Sequence, residues 1–398
     1  MACFSKKDLR RTAGTLVLAA GALVAATLAA RAEVMVVGID GKFAYDDKAT
    51  RQALEPGHDE VMFFDVADPM KPKLIGSVAL ENSIVGPPTN VAVTPDQSLA
   101  LIANAVHSEQ TPTGWKAVPA DELFVVNLKA SPPKLVQTLH IGRQPSGLAI
   151  SKNGRIALVA NRDGKSISVL AIQNGNVTVT DTLDIGDSVG AVAVTPDGRR
   201  AIATKTLAHK ATLLTISETG KLTIERDLWV GLFPWNVAIA PDGAIALVNN
   251  IGNAGQSDGS AKTVSVIDLT AATPYVREHV SVGDAPEGVT FNRQGTFAAI
   301  TILQGSYDAS PSAWFRKDVG QAALLAIGKS KISVVNNVNV GAFPEGVAFA
   351  ADGQHVYVGN YHSNSISILK IDGSGQIVDT GETVKLPGPP ASLRIGSQ

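Results

Sequence analysis

Apolar and polar residues alternate along most of this chain in short stretches, as in Val91-x-Val93 and Val237-x-Ile239. A period of two puts successive side chains on opposite faces of a strand. The stretches follow one recurring phrase. Gly-x-x-Pro, at Gly142–Pro145, Gly231–Pro234, Gly283–Pro286 and Gly341–Pro344, leads into an apolar strand. A tight turn follows, spelled Pro-Asp-Gly at 196–198 and 241–243. There Pro fixes φ, Asp bonds nearby backbone and Gly accepts a positive φ. A second apolar strand comes next and often ends in Asn, as at Asn104, Asn161 and Asn360. A Val/Ile-rich third strand (166–172, 263–269, 365–371) and a fourth strand then deliver the next Gly-x-x-Pro.

Counting a variant with Val189 in the Pro place, a first copy at Pro88 and a truncated last copy at Pro390, the repeat heads fall at 88, 145, 189, 234, 286, 344 and 390. Nearly all the variation in spacing lies in the loop between second and third strands. Without that loop each unit is about 39 to 41 residues long. Four antiparallel strands per unit predict a propeller blade. The last copy supplies only a first strand, at Pro390–Ile395, whereas the N-terminal region offers a second (Val34–Gly38), a third (Glu60–Asp65) and a fourth (Leu74–Leu80). The prediction is therefore an all-β, seven-bladed β-propeller of four-stranded antiparallel blades, closed by one C-terminal plus three N-terminal strands. Closure removes the open sheet edges of a linear array.

Composition adjusts this picture at the N-terminus. Lys6, Lys7, Arg10 and Arg11 precede an apolar run from about 16 to 30, and Ala30-Arg31-Ala32 has the small-x-small form of a cleavage site. Residues 1–32 thus read as a secretory signal and 33–398 as the propeller, with export to the periplasm or the exterior expected. The apolar run is shorter than the roughly 20 residues that span a bilayer, so no stable membrane insertion is expected after cleavage. The sequence leaves open whether Arg10-Arg11 marks twin-arginine export. The whole chain carries 34 Lys+Arg against 36 Asp+Glu. Removing the leader takes away five basic residues and one acidic, leaving 29 against 35, a net of −6. Cys3, the single cysteine, goes with it, which excludes disulfides and thiolate metal sites in the mature chain. The acidic balance argues against nucleic acid as a partner.

GNYHSNSISILKIDG at 359–373, with Gly-x-x-Pro upstream and Pro-Asp-Gly turns, resembles the YVTN family of β-propeller repeat proteins. The resemblance spans essentially the whole mature chain. More distantly the chain is similar to seven-bladed lactonases, to quinoprotein amine dehydrogenase heavy chains and to haem d1 propellers. The resemblance implies the architecture and leaves the activity open.

In a propeller the second-to-third loops and the fourth-to-first connections open on one face, around the channel mouth. Four of these loops are long here, at roughly 39–59, 104–121, 250–261 and 303–320, while the turns of the opposite face are short and uniform. Function concentrates on variable loops over a rigid scaffold, so the long-loop face is the expected binding face. Its loops carry His107, Trp115, Tyr307, Trp314, Phe315 and Arg316. The mouth carries Arg143, Trp235, Asn236, Glu287 and Glu345, and the strand ends carry Arg162, Lys205, Tyr361 and His362. One reading makes the protein a monomeric scaffold that captures a periplasmic protein or small molecule through these residues. A second is a lactonase or cycloisomerase using Glu287, Glu345, Arg143 and His362. A third is an accessory to a periplasmic redox enzyme. The plainer alternative is that the carboxylates sit solvated at the rim or bridge to Arg143 or Arg162, and that strand-end Asn residues bond local backbone. His107, His209 and His362 stand in different blades without ligand spacing, so no metal is expected, and no cofactor motif is present.

Overall fold

A computed structural model describes residues 33–46, 50–253, 256–306 and 309–396. The secretory signal expected at residues 1–32, with Cys3, and Tyr307 lie outside the described residues. Seven four-stranded antiparallel sheets form the seven blades of a β-propeller, with no α-helix among the described residues. Numbered from the first complete repeat, the innermost strands of blades one to seven are Val91–Val93, Pro145–Ile150, Val189–Val194, Pro234–Ile239, Pro286–Phe291, Pro344–Phe349 and Pro390–Ile395. Each lies against the next around a closed ring.

Blade seven joins both ends of the chain. Strand Pro390–Ile395 pairs antiparallel with Val34–Ile39, setting Met35 opposite Ile395 and Val37 opposite Leu393. Glu60–Asp65 and Lys73–Val78 complete the sheet. The apolar residues on both faces of each blade pack against the neighbouring blades. Between blades two and three, for example, Leu158, Ile167 and Val169 meet Val189, Val192, Ala201 and Leu214. Fully burying one such aliphatic side chain stabilises by roughly 1.5–3 kcal/mol. Repeated between blades, this term accounts for the Ala/Val/Ile/Leu-rich composition.

Short turns close the opposite face. In the Pro196-Asp197-Gly198 turn the Thr195 hydroxyl donates to Asp197 Oδ1 (2.6 Å), which also accepts the Arg199 N–H (3.0 Å). Gly198 takes a φ of 70° there. At the other end of the inner strands a bulge recurs where neighbouring blades come closest. At Gly288 a Cβ would lie 2.5 Å from the Glu345 carbonyl oxygen, so only glycine fits.

Two of the stretches expected as loops are β-ribbons. Phe43–Tyr45 pairs with Arg51–Ala53, and Val106–Thr111 pairs with Gly114–Pro119. Their strands are short and carry little alternation, while Gly114, at a φ of 134°, makes the second ribbon's turn. The first ribbon is anchored by a buried cation. Lys42 is fully buried; its Nζ bonds Asp40, Asp59 and the Asn82 carbonyl, and Asp40 Oδ2 accepts the Ile84 N–H at 2.7 Å. Burial opposes the charged amine, but Asp40 and Asp59 outweigh it and raise the Lys42 pKa.

Replacing Lys42 with Met would leave two buried carboxylates without their cation. Urea unfolding of Lys42→Met should show a loss of about 3–5 kcal/mol. A loss below about 1 kcal/mol would mean that the ribbon is held by its apolar contacts alone.

Candidate functional site at the capped mouth

The first residue after each repeat head forms a ring at the long-loop end of the inner strands: Thr89, Ser146, Gly190, Trp235, Glu287, Glu345 and Ala391. The preceding blade fixes three of these positions. Thr204 Oγ1 donates to the Trp235 carbonyl (3.2 Å), Asn249 Nδ2 to that of Glu287 (2.9 Å), and Thr301 Oγ1 to that of Glu345 (2.7 Å). Side-chain hydrogen bonds to these backbone carbonyls across blade boundaries thus hold two carboxylates in equivalent slots of neighbouring blades. Both are buried, Glu287 at 5% exposure and Glu345 at 2%.

The mouth above this ring is covered. Phe43 and Tyr45 of the first ribbon join Ile84, Val106, Trp235, Ile251, Leu303, Phe343 and Tyr361 in one apolar cluster drawn from blades one, four, five, six and seven. Tyr45 lies edge-on to Tyr361 and His362, at centroid distances of 6.1 and 4.9 Å, and 5.5 Å from Phe343. Arg51 stands over the Phe43 ring at 4.9 Å.

Electrostatics inside this cover are set by burial. Arg162 reaches over the Trp235 ring at 4.9 Å. Burial lowers its pKa to about 10, the charge of Arg51 adds to this, and Glu287 opposes it. The phenols of Tyr45 and Tyr361 are pushed up by burial and stay protonated. Burial, reinforced by Arg316, lowers His362 to about 4, so its imidazole is neutral at pH 7. Thr89 Oγ1, Ser146 Oγ, Arg162 Nε and Trp235 Nε1 are buried without a hydrogen-bond partner among the described residues. The arrangement can hold a polar, uncharged or anionic group between carboxylates and guanidinium groups, away from bulk water.

The structure brings Glu287, Glu345, Arg162, Trp235, Tyr361 and His362 together at the mouth. Arg143 stands apart as an exposed residue paired with Asp163 at 2.9 Å. Lys205 is tied to Asp227 at 3.2 Å. Asn236 is fully buried, reaching the Glu287 carbonyl and the Val237 N–H. His107 lies on the second ribbon between Glu81 and Glu122; burial disfavours its imidazolium, but the two carboxylates outweigh this and raise its pKa. Trp115 is half-buried on the same ribbon. Trp314 is 81% exposed and edge-on to Phe315 at 5.6 Å, while Arg316 donates to the Ala309 carbonyl. His209 accepts the Phe233 N–H at 3.1 Å and so ties its turn to the connection that leads into blade four. The strand-end Asn161 and Asn360 bond the third strand of their own blades, at Ser166 and Ser168 and at Ser365 and Ser367. One three-residue group, Asp121, Glu122 and His140, has the spacing of metal ligands, at the edge of blade one.

Sequence reasoning missed Arg51, Tyr45 and Phe343. Arg51 and Tyr45 belong to the covering ribbon, and only the alternation around Phe43-Ala-Tyr45 hinted that the segment was a strand.

The fold places the chain among the seven-bladed β-propellers. Residues 259–394 match the model of the family described as "Lactonase, 7-bladed beta-propeller". No curated protein matches the chain by sequence. Among solved structures, a putative 6-phosphogluconolactonase from Bacteroides fragilis is similar at a TM-score of 0.68 and 15% identity, covering 92% of this chain and 98% of that one. The periplasmic gluconolactonase PpgL of Pseudomonas aeruginosa is similar at 0.65 and 18% identity, covering 92% and 99%. Hydrazine synthase from Kuenenia stuttgartiensis is similar at 0.58 and 17% identity, covering 79% and 91%. At these identities the likeness is one of fold.

His362 gives a pH test of the buried mouth. Its folded pKa, about 4, lies below the ordinary 6.5, so between these values the unfolded chain binds more protons. Its contribution to stability is therefore complete above about pH 6.5 and is lost as pH falls to 4. An NMR titration should find a His362 midpoint near 4, and His362→Gln should flatten that part of the stability profile. A midpoint near 6.5 would show that the mouth is open to water.

Proposed function

We propose that the chain opens a small lactone by hydrolysis at the covered mouth. The carrying observation is the pair of buried carboxylates, Glu287 and Glu345, in equivalent slots of adjacent blades, beside Arg162 and beneath the covering ribbon. The family match over 259–394 and the lactonase names of two similar structures support this reading.

One carboxylate takes a proton from water as the water oxygen bonds to the lactone carbonyl carbon. The developing oxyanion faces the Arg162 guanidinium, where low dielectric strengthens the attraction. The ring C–O bond then breaks, the leaving oxygen takes up the proton, and a hydroxy acid results. Neutral His362 and the protonated Tyr45 and Tyr361 shape the site without adding charge. Substrate entry requires the Phe43–Tyr45/Arg51–Ala53 ribbon to lift from Phe343 and Tyr361. With residues 1–32 removed as a signal, the reaction takes place in the periplasm or outside the cell.

The mature protein should hydrolyse members of a panel of sugar and aliphatic lactones. Glu287→Gln and Glu345→Gln should each lower kcat/KM by about 10²- to 10⁴-fold while the thermal melt stays cooperative. Rates no higher than buffer across the panel would sink the proposal.

A second reading, as a docking platform, draws on exposed apolar side chains of the long-loop face. Trp314 is 81% exposed, and Leu207, Trp229 and Leu232 lie around the turn of His209 at 62%, 71% and 55%. Exposed aromatics of this kind anchor partner proteins. Trp229→Ala with Trp314→Ala should abolish capture of a periplasmic partner without changing lactone turnover. Capture equal to that of the unmodified protein would remove this reading.

A further inference from the structure

The central channel below the covered mouth carries a charge that no part of the proposed hydrolysis uses. A cavity of about 620 Å³ runs along the inner strands, from Thr89 and Asn236 near the mouth to the turn residues Pro95, Lys152 and Arg293 on the short-turn face. That volume falls within the range of small-molecule sites.

The repeat makes one lining position stand out. The fourth residue after each head is Ala92, Ala149, Ala193, Ala238 and Ala348 in blades one to four and six, and Thr290 in blade five. In blade seven it is Arg394. Pairing to the second strands confirms the equivalence, with Ala149 opposite Leu158, Ala193 opposite Ile202, Ala238 opposite Leu247 and Arg394 opposite Val36. Small residues in the equivalent slots leave room across the channel for one long cationic side chain.

Arg394 lines this cavity half-buried; its backbone pairs with Val36, but its side chain makes no hydrogen bond or ion pair among the described residues. A guanidinium taken partly out of water without a counter-charge is costly. Its pKa is lowered to about 10, with burial as the sole cause and no carboxylate opposing it. No Asp or Glu side chain is among the described lining residues, while Lys152 adds positive charge at the short-turn rim. Arg293 is held by Glu33 at 2.6 Å, and Lys152 is exposed. Within a protein whose mature charge is net negative, this cavity concentrates positive potential.

We infer that the central channel is a binding site for a small organic acid, whose carboxylate pairs with the Arg394 guanidinium. The planar five-donor fork of arginine matches a carboxylate through two parallel N–H···O bonds. The lining mixes aliphatic side chains with uncharged polar ones such as Thr195, Asn236 and Thr290; it leaves room for a short carbon skeleton but supplies no second buried charge, so selectivity for chain length should be weak. The site opens on the short-turn face, away from the mouth, and stands independently of the lactone reading.

Calorimetric titration of the mature protein with succinate, gluconate and inorganic phosphate tests this, together with the ligand-induced shift in Tm. The expected result is saturable one-to-one binding of at least one organic acid, weakened tenfold or more in Arg394→Met. Ala193→Glu, which places a carboxylate in an equivalent slot of the channel, should abolish the binding while the protein still melts cooperatively. Arg143→Ala, a surface change on the other face, should leave it intact. The inference is overturned if no organic acid binds, if phosphate alone binds, or if Arg394→Met and Ala193→Glu, both folded, bind as tightly as the unmodified protein.

Discussion

Closure of the ring is the constraint on which the rest depends. The backbone hydrogen bonds between Val34–Ile39 and Pro390–Ile395 fix the two ends of the chain in one sheet. Once that sheet forms, every blade has two neighbours, and aliphatic side chains on both faces can be buried. The same pairing sets the functional geometry. Immediately beyond Ile39 come Asp40 and Lys42, which anchor the ribbon over the mouth, while the partner strand carries Arg394 into the channel. Cover and channel cation are thus both built from the one blade that two distant stretches of chain must complete.

The charged groups sort by how their burial is compensated. Arg143 and Asp163 form a solvated surface pair of the kind that contributes little to stability. Lys42 is buried between Asp40 and Asp59, where burial and the charge of Asp40 push Asp59 up to about 6, and this suits a fixed structural joint. The mouth differs, because two buried carboxylates, the Arg162 guanidinium and a neutral imidazole lie close together among apolar side chains that amplify their interactions. Arg394 is the extreme case, a cation in a channel with no acid in the lining.

Much of this was legible in the chain because the repeat is strongly written. Period-2 alternation, Gly-x-x-Pro heads and Pro-Asp-Gly turns are local signals, and constant unit length turned them into a seven-bladed ring. The placement of Glu287 and Glu345 at the mouth followed from the same register, whereas Asn161 and Asn360, expected to bond local backbone, reach serine hydroxyls of the third strand. What escaped depends on contacts between segments far apart in sequence. That the strands Phe43–Tyr45 and Arg51–Ala53 fold back over the mouth is decided by Lys42 meeting Asp59 and by Tyr45 meeting Phe343 and Tyr361, which no periodicity reveals. Arg143 and Lys205 looked like mouth residues by register, but nearby Asp163 and Asp227 draw their side chains away. The Arg394 substitution at an alanine slot was present in the repeat all along, although its meaning required knowing that the slot faces the channel.

The seam in blade seven also makes the order of blades along the chain separable from their order in space. Gly396 N–H donates to the Val34 carbonyl at 3.2 Å, so the two ends of the propeller are already in contact. A linker of a few residues there would make the backbone continuous, and new ends could be opened at an exposed short turn such as Asn153-Gly154 without breaking any interblade pairing. The architecture is in this sense circular, and its first and last residues mark a cut that could lie between other blades.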